Sequence, residues 1–381
     1  MATYERAVRP PHLNSNEDFN EEMDHKDFGV TRSLFLEWRS PRFGQFNPTR
    51  MDNKVWEWLI RSRKSAYHAT QALSDPGSSN EGPTWCFDRM GQTATELPDG
   101  RTIYIGGEHE DFYDPDFYIY NDIIVIHPGE SVEIYGYPEH IFPPTDFHTS
   151  TLIDNTIVII GSLGYREKRS IGDTQVYLLD LASFEIQEVK TTGTSPGWIH
   201  QHTAMLTDNR ESIKIAKGIL YLGENRSLIE NIDDWKLNLR DWRWERLTER
   251  KWTRWELKRR DHGPNHLWNV RQALFDRNMN WEDTYKESIK RLTIEIGKEP
   301  DLDLINVLYS PDVPHSQMPQ QEYNVFRISV DGVIVRYVED LYSVQVTVEG
   351  NLPEDVIEKI KSDVLEKFSL LENSTCDLEM I

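Results

Sequence analysis

The stretch HTSTLIDNTIVIIGS, His148–Ser162, with the following VYLLDLASFEIQEV, Val176–Val189, decides the fold. It opens on a polar start, His148-Thr149-Ser150, and runs into an apolar segment that stops at glycine, Val158-Ile159-Ile160-Gly161-Ser162. Tyr177, Leu179, Leu181, Phe184, Ile186 and Val189 then mark an alternating run, the pattern of half-buried strands. The same order recurs on either side. The polar start becomes Gln92-Thr93-Ala94 and His202-Thr203-Ala204, and the glycine-ended strand becomes Ile103-Tyr104-Ile105-Gly106-Gly107 and Leu220-Tyr221-Leu222-Gly223-Glu224. The alternating run becomes Ile124, Ile126, Val132 and Ile134 in the first copy. In the third it is Trp235, Leu237, Leu239, Trp242, Trp244 and Leu247. Residues 84–247 therefore read as a repeated all-β region.

This order resembles the kelch repeat: a polar start, a strand ending in Gly-Gly, then strand, turn and strand ending in an aromatic. The resemblance covers about residues 83–247, and the chain as a whole is similar to uncharacterised bacterial kelch-containing proteins. It implies three four-stranded blades of a β-propeller. Glycine after the second strand supplies positive φ, and the aromatic of the last strand fills the wedge between twisted blades. Only the first copy has the full Gly-Gly. It alone has the expected arginine, Arg89, where Thr145 and Ile199 stand in the others. A closed propeller typically has about four to eight blades, so a partial or small one is expected. Residues 31–82, the helices after 264 or another subunit would cover its open edges.

The flanks read differently. Residues 1–30 form a polar acidic arm. In 31–82, Leu34–Trp38 is a strand candidate, and Asp52 is placed to cap a helix from about Asn53 to Leu73. The blades occupy 83–250, a helical linker region 251–300 and a small α+β domain 301–381. Within that domain, Leu302–Tyr309 reads as a strand, Asp331-Gly332 as a hairpin turn, and a helix starts near Pro353. The fold class expected is mainly β with an α+β C-terminal unit.

Composition bounds the function. With 42 Lys plus Arg against 64 Asp plus Glu the net charge is −22, which disfavours nucleic acid and favours a basic partner. No apolar run reaches membrane-spanning length and no signal peptide is visible. Two distant cysteines, Cys86 and Cys376, suit a reducing compartment, so a cytoplasmic location is expected.

Two segments stand out as candidate partner-binding sites. The loop Glu108, His109, Glu110, Asp111, Phe112, Tyr113, Asp114, Pro115, Asp116 combines carboxylates with aromatics. It suits a basic partner, or a divalent metal held by His109 and Asp111. His148 and His202, at equivalent repeat positions, are the other metal candidates. A structural polar contact between blades explains them better. Arg240–Arg260 carries nine basic and four acidic residues with interleaved tryptophans, and Trp252, Arg254 and Trp255 are its candidate exposed anchors. No complete catalytic signature occurs, and no cofactor is expected beyond the metal alternative. The function expected is a non-enzymatic interaction module, antitoxin- or immunity-like, with a protein partner and self-association at open edges. The alternative is a metal-dependent enzyme or carbohydrate-binding protein using the His109 loop.

Overall fold

The computed structural model describes residues 24–73, 82–110, 116–223 and 228–381, which form two compact units, 1–249 and 250–381. The chain is mainly β, with several antiparallel sheets and seven α-helices among the described residues.

In the N-terminal unit the repeat builds three antiparallel meanders, each with its four strands in chain order. The first comprises Thr93–Glu96, Thr102–Ile105, Ile123–Ile126 and Val132–Gly136. The second comprises Thr149–Ile153, Thr156–Ile160, Val176–Asp180 and Ile186–Glu188, and the third Thr203–Leu206, Ser212–Ala216, Trp235–Asn238 and Arg243–Arg246. Alternation gives each sheet two faces, and the faces stack. Ile103, Ile105, Ile123 and Val125 pack with Ile157, Ile159, Tyr177 and Leu179 of the second meander. Its opposite face, Val158, Ile160 and Val176, packs with Ile213, Ile215, Trp235 and Leu237 of the third.

The ends of the stack differ. The outer face of the first meander, with Ile124 and Ile134, lies in one core with Trp56, Trp58, Leu59 and Trp85 from helical and loop segments. The outer face of the third meander is the row Met205, Lys214, Lys236 and Glu245, joined in register, with Lys236 and Glu245 paired at 2.6 Å. Outer edges are covered from within the unit. Thr49–Arg50 pairs with Val132–Gly136, Thr192–Gly193 with Arg243–Arg246, and the Asn47 amide exchanges hydrogen bonds with backbone N and O of Ile186 at 2.8–2.9 Å.

Strand pairing corrects the expected alignment of the third copy. Ile105, Ile160 and Ala216 pair with Thr93, Thr149 and Thr203 respectively, so the residues that follow, Gly106, Gly161 and Lys217, are equivalent. All three have positive φ, at 56°, 73° and 59°. Gly223 is not their counterpart: Ile219–Tyr221 joins Trp198–His200 and Ile229–Glu230 in a separate three-stranded sheet. A Cβ at Gly106 or Gly161 would collide with the carbonyl oxygen of Thr145 or Ile199 in the next copy. Those same oxygens accept from Gly107 N–H and Ser162 N–H at 2.8 and 3.0 Å. No fourth copy approaches Lys217, so a side chain fits there.

Several local expectations are overturned. Leu34–Trp38 lies in helix α1 (Arg32–Trp38), capped by the Thr31 hydroxyl, which accepts from Leu34 N–H. The single helix expected over 53–73 is two, α2 (Lys54–Ser62) and α3 (Ala66–Leu73), because the chain turns left-handed at Arg63. Its cap is Asn53, not Asp52.

The C-terminal unit is one six-stranded sheet with helices packed on its core, in the order Ser316–Gln317, Val325–Val330, Val333–Glu339, Ser343–Glu349, Thr253–Arg259, Cys376–Met380. The region 251–300 is therefore no linker. It supplies an interior strand together with α4 (Leu267–Asn278) and α5 (Glu282–Ile296), whose apolar faces enter the same core. Leu302–Asn306 is helix α6, not a strand, because the Asp301 carboxylate caps it by accepting from Asp303 and Leu304 N–H. Helix α7 (Glu354–Glu372) follows Pro353 and buries Ile357, Ile360, Val364 and Phe368. Among the described residues no helix is long and apolar enough to cross a membrane.

Candidate functional site

The links between second and third strands are the long ones in each meander, and they lie at one end of the stack. The first carries a short hairpin, Glu108–His109 with Tyr118–Ile119. The second contains a 3-10 turn, Arg166–Lys168, and the third the strands Ile219–Tyr221 and Ile229–Glu230. These links are tied together. Ile119 N–H donates to the Tyr165 hydroxyl at 2.9 Å, and Phe117 stands edge-on to Tyr165 with centroids 5.9 Å apart. Trp198, on the strand that pairs with Ile219–Tyr221, donates from Nε1–H to Leu163 O at 3.1 Å, and the Arg169 guanidinium lies 5.8 Å from the Tyr221 ring centroid.

Glu108, in the hairpin of the first link, is 1% exposed. In the register of the repeat it follows Gly106-Gly107 as Leu163 follows Gly161-Ser162, so a carboxyl occupies an aliphatic position. Its carboxyl shares a hydrogen bond with that of Asp146, and no other donor reaches its oxygens. Burial pushes its pKa up to about 8, reinforced by the charge of Asp146 and opposed by Arg169. Asp146, fully buried, is raised by burial as well, but Gly164 N–H at 2.6 Å and the Ser162 hydroxyl at 3.2 Å donate to its Oδ1. Those donors make Asp146 the better anion of the pair, so the proton stays on Glu108. Arg169 is held by donating from Nε to Leu163 O at 2.9 Å and from a terminal nitrogen to Gly164 O at 3.0 Å.

The candidate histidines have structural partners. His148 Nε2 lies 2.8 Å from Thr93 Oγ1, and His202 Nε2 2.9 Å from Thr149 Oγ1, so each clamps its own meander to the preceding one. Burial holds both neutral, lowering His148 to about 3 and His202 to about 4. His200 is likewise buried and lowered to about 3. Among the described residues no group of three His, Cys, Asp or Glu is placed to hold a metal ion.

The other expected site residues separate. Glu110 and Asp116 flank 111–115, and Asp111, Phe112, Tyr113 and Asp114 lie outside the described residues. Trp255 is fully buried and Arg254 6% exposed inside the C-terminal sheet, so neither is a surface anchor. Trp252 is half-buried beneath Arg250, 5.4 Å from its ring. Much of the basic stretch is spent on ion pairs: Arg246 with Asp233, Lys258 with Glu256, Arg259 with Asp261 and Glu372, Arg260 with Asp377. Arg89 is buried too, paired with Asp122 and stacked 3.4 Å from the Tyr120 centroid. Asp146, Arg169 and Tyr165 were not singled out by sequence. Their signal lies in the register, where Asp146 and His200 hold equivalent positions two residues before His148 and His202.

No family model matches the chain, and no curated protein matches it. Among solved structures, one titled "Structure of YjhT" is similar with a TM-score of 0.28 and 11% identity, over 44% of this chain and 52% of that one. The chain thus spans about half the length of that structure, and the likeness is too slight to carry an argument about fold or function.

Proposed function

We propose that the protein is a non-enzymatic binding module built on kelch-like blades, arranged as an open stack, and that it engages a basic protein partner through the end bearing the long links. The observation that carries this reading is the convergence of the three links, tied by Ile119–Tyr165 and Arg169–Tyr221, with Trp198 on the adjoining strand bonded to Leu163. Irregular segments held on a rigid sheet scaffold are where proteins place recognition surfaces. The repeated left-handed positions 106, 161 and 217 support the kelch-like assignment. The net charge of −22 supports a basic partner, through long-range attraction that also sets the sign of the salt dependence.

The test is affinity capture from the native host followed by a salt titration of the captured complex. Asp111, Asp114 and Asp116 changed together to Asn should weaken the complex and flatten its salt dependence while leaving the melting transition in place. A triple variant that binds as tightly as wild type across the titration removes the loop from the interface. A variant that instead loses a divalent ion and melts far lower favours the metal alternative.

A further inference from the structure

The end that bears the long links also holds a cavity of about 230 Å³, lined by Glu108, Phe117, Ile119, Leu163, Tyr165 and Arg169 among others. The volume is below the roughly 300–1,000 Å³ of pockets that hold drug-sized molecules, so it suits a single small ring or chain. Glu108 is buried on this cavity, bonded only to the Asp146 carboxyl, so its second oxygen has no partner. A buried polar group without a partner is costly and calls for an explanation. A ligand group reaching Glu108 supplies one.

Charge and hydrogen-bonding capacity define that group. Asp146 carries the negative charge of the carboxyl pair, Arg169 stands against it, and Glu108 keeps its proton, so the set is close to neutral. An anion would face Asp146 and nearby Glu110, and a cation would face Arg169. With the Glu108 O–H turned to Asp146, a ligand hydroxyl can donate to the remaining Glu108 carbonyl oxygen. The Tyr165 oxygen already accepts from Ile119 N–H, which leaves its O–H to donate into the site. Phe117, Ile119 and Leu163 provide apolar wall for C–H faces. We infer that this cavity binds a small, uncharged, polyhydroxylated molecule of monosaccharide size, anchored by Glu108. The inference concerns a different ligand class from the protein partner above and stands or falls separately.

The experiment is saturation-transfer NMR on the full chain at about pH 6.5, followed by titration of each probe that responds. The neutral probes are methyl glucoside, methyl galactoside, N-acetylglucosamine, mannitol and glycerol; glucuronate and glucosamine are the charged ones. At least one neutral probe should saturate, and the charged probes should bind at least about tenfold more weakly. Glu108→Leu should weaken binding about tenfold or more, whereas Glu108→Gln, which keeps a donor and an acceptor, should stay within about threefold. Raising the pH to about 9 should weaken wild type as Glu108 ionises and leave Glu108→Gln unchanged. Should Glu108→Leu fail to fold, Phe117→Ala serves in its place, with about a fivefold or greater loss expected from the missing wall. The inference is overturned if no neutral probe saturates wild type, if glucuronate binds more tightly than every neutral probe, or if binding ignores the folded variants. Loss of basic-partner binding with sugar binding intact would overturn only the module reading.

Discussion

Glu339 and Glu372 of the C-terminal unit and Glu108 of the N-terminal unit meet burial in opposite ways. In the C-terminal unit Glu339 accepts from Arg271 at 2.7–3.1 Å and from the Tyr309 hydroxyl at 2.7 Å. Glu372 accepts from Arg259 at 3.0 Å and from His266 backbone N–H at 2.8 Å, with the His266 ring at 2.7 Å. Each has a cation and further donors, the condition under which a buried charge is tolerated. Glu108 of the N-terminal unit has no such set of donors: it bonds the Asp146 carboxyl and meets burial by staying protonated. A saturated acid holds a fold together. An unsaturated one at the wall of a cavity remains able to bond something else.

The sharpest break in this contrast would come from Arg271. Arg271→Met strands Glu339 and Tyr309, and urea unfolding of the C-terminal unit should show a loss of about 3–5 kcal/mol. A loss under about 1 kcal/mol would mean that the unit tolerates orphaned acids generally, and Glu108 would lose its distinction.

Next in size is pH. An unfolded glutamate gives up its proton near the ordinary value of 4.5, whereas folded Glu108 keeps it to about 8. Between those values the native state binds the extra proton, so this group makes stability fall as pH rises and levels off above about 8. The buried histidines act oppositely. Their folded values of about 3 to 4 lie below 6.5, so their contribution is full above 6.5 and is lost as pH falls through that window. Melting temperature should therefore peak near pH 6.5. Its alkaline limb, on the order of a few kcal/mol, should vanish in Glu108→Gln. A limb unchanged by that substitution would show that another group carries it.

Smaller again is Glu108→Leu, which puts in the first copy what Leu163 supplies in the second. Without bound ligand it should raise stability at neutral pH by about 1 kcal/mol, measured by denaturant midpoint. A marked loss would mean that the hydrogen bond from Glu108 to Asp146 holds the fold. Smallest is His202→Gln. Gln92 already stands at this position in the first copy, so the cost should stay below about 1 kcal/mol while part of the acid limb of the pH profile disappears.

The repeat was legible where side chains face a neighbouring sheet. Tyr177, Leu179 and Ile186 align with Trp235, Leu237 and Trp244 in the sequence and occupy equivalent strand positions in the structure. It was misread where the reason for a residue was absent. Glycine marks the end of the second strand only because the next copy presses on it, and the last copy has no successor, so Lys217 hid the register and Gly223 took its place. The interior strand Thr253–Arg259 was hidden because Arg254, Glu256 and Lys258 break the apolar pattern, though Arg254 and Glu256 are buried. The acidic character of Glu108–Asp116 was visible, but the burial of Glu108 was not. What sets Glu108 apart is its counterpart in another copy rather than its neighbours in the chain.

The charged face of the third meander has a consequence for how many repeats such a chain can hold. A ring of sheets fixes its number by geometry; an open stack must be ended by chemistry. Lys214, Lys236 and Glu245 end this one, since another sheet laid on them would bury their charges. A duplicate of residues 148–190 inserted between the second and third meanders would meet apolar surfaces on both sides, whereas the same segment added after the third would meet lysines. The repeat is thus extensible from within and closed at its last sheet, and its length is written in the faces of its first and last meanders.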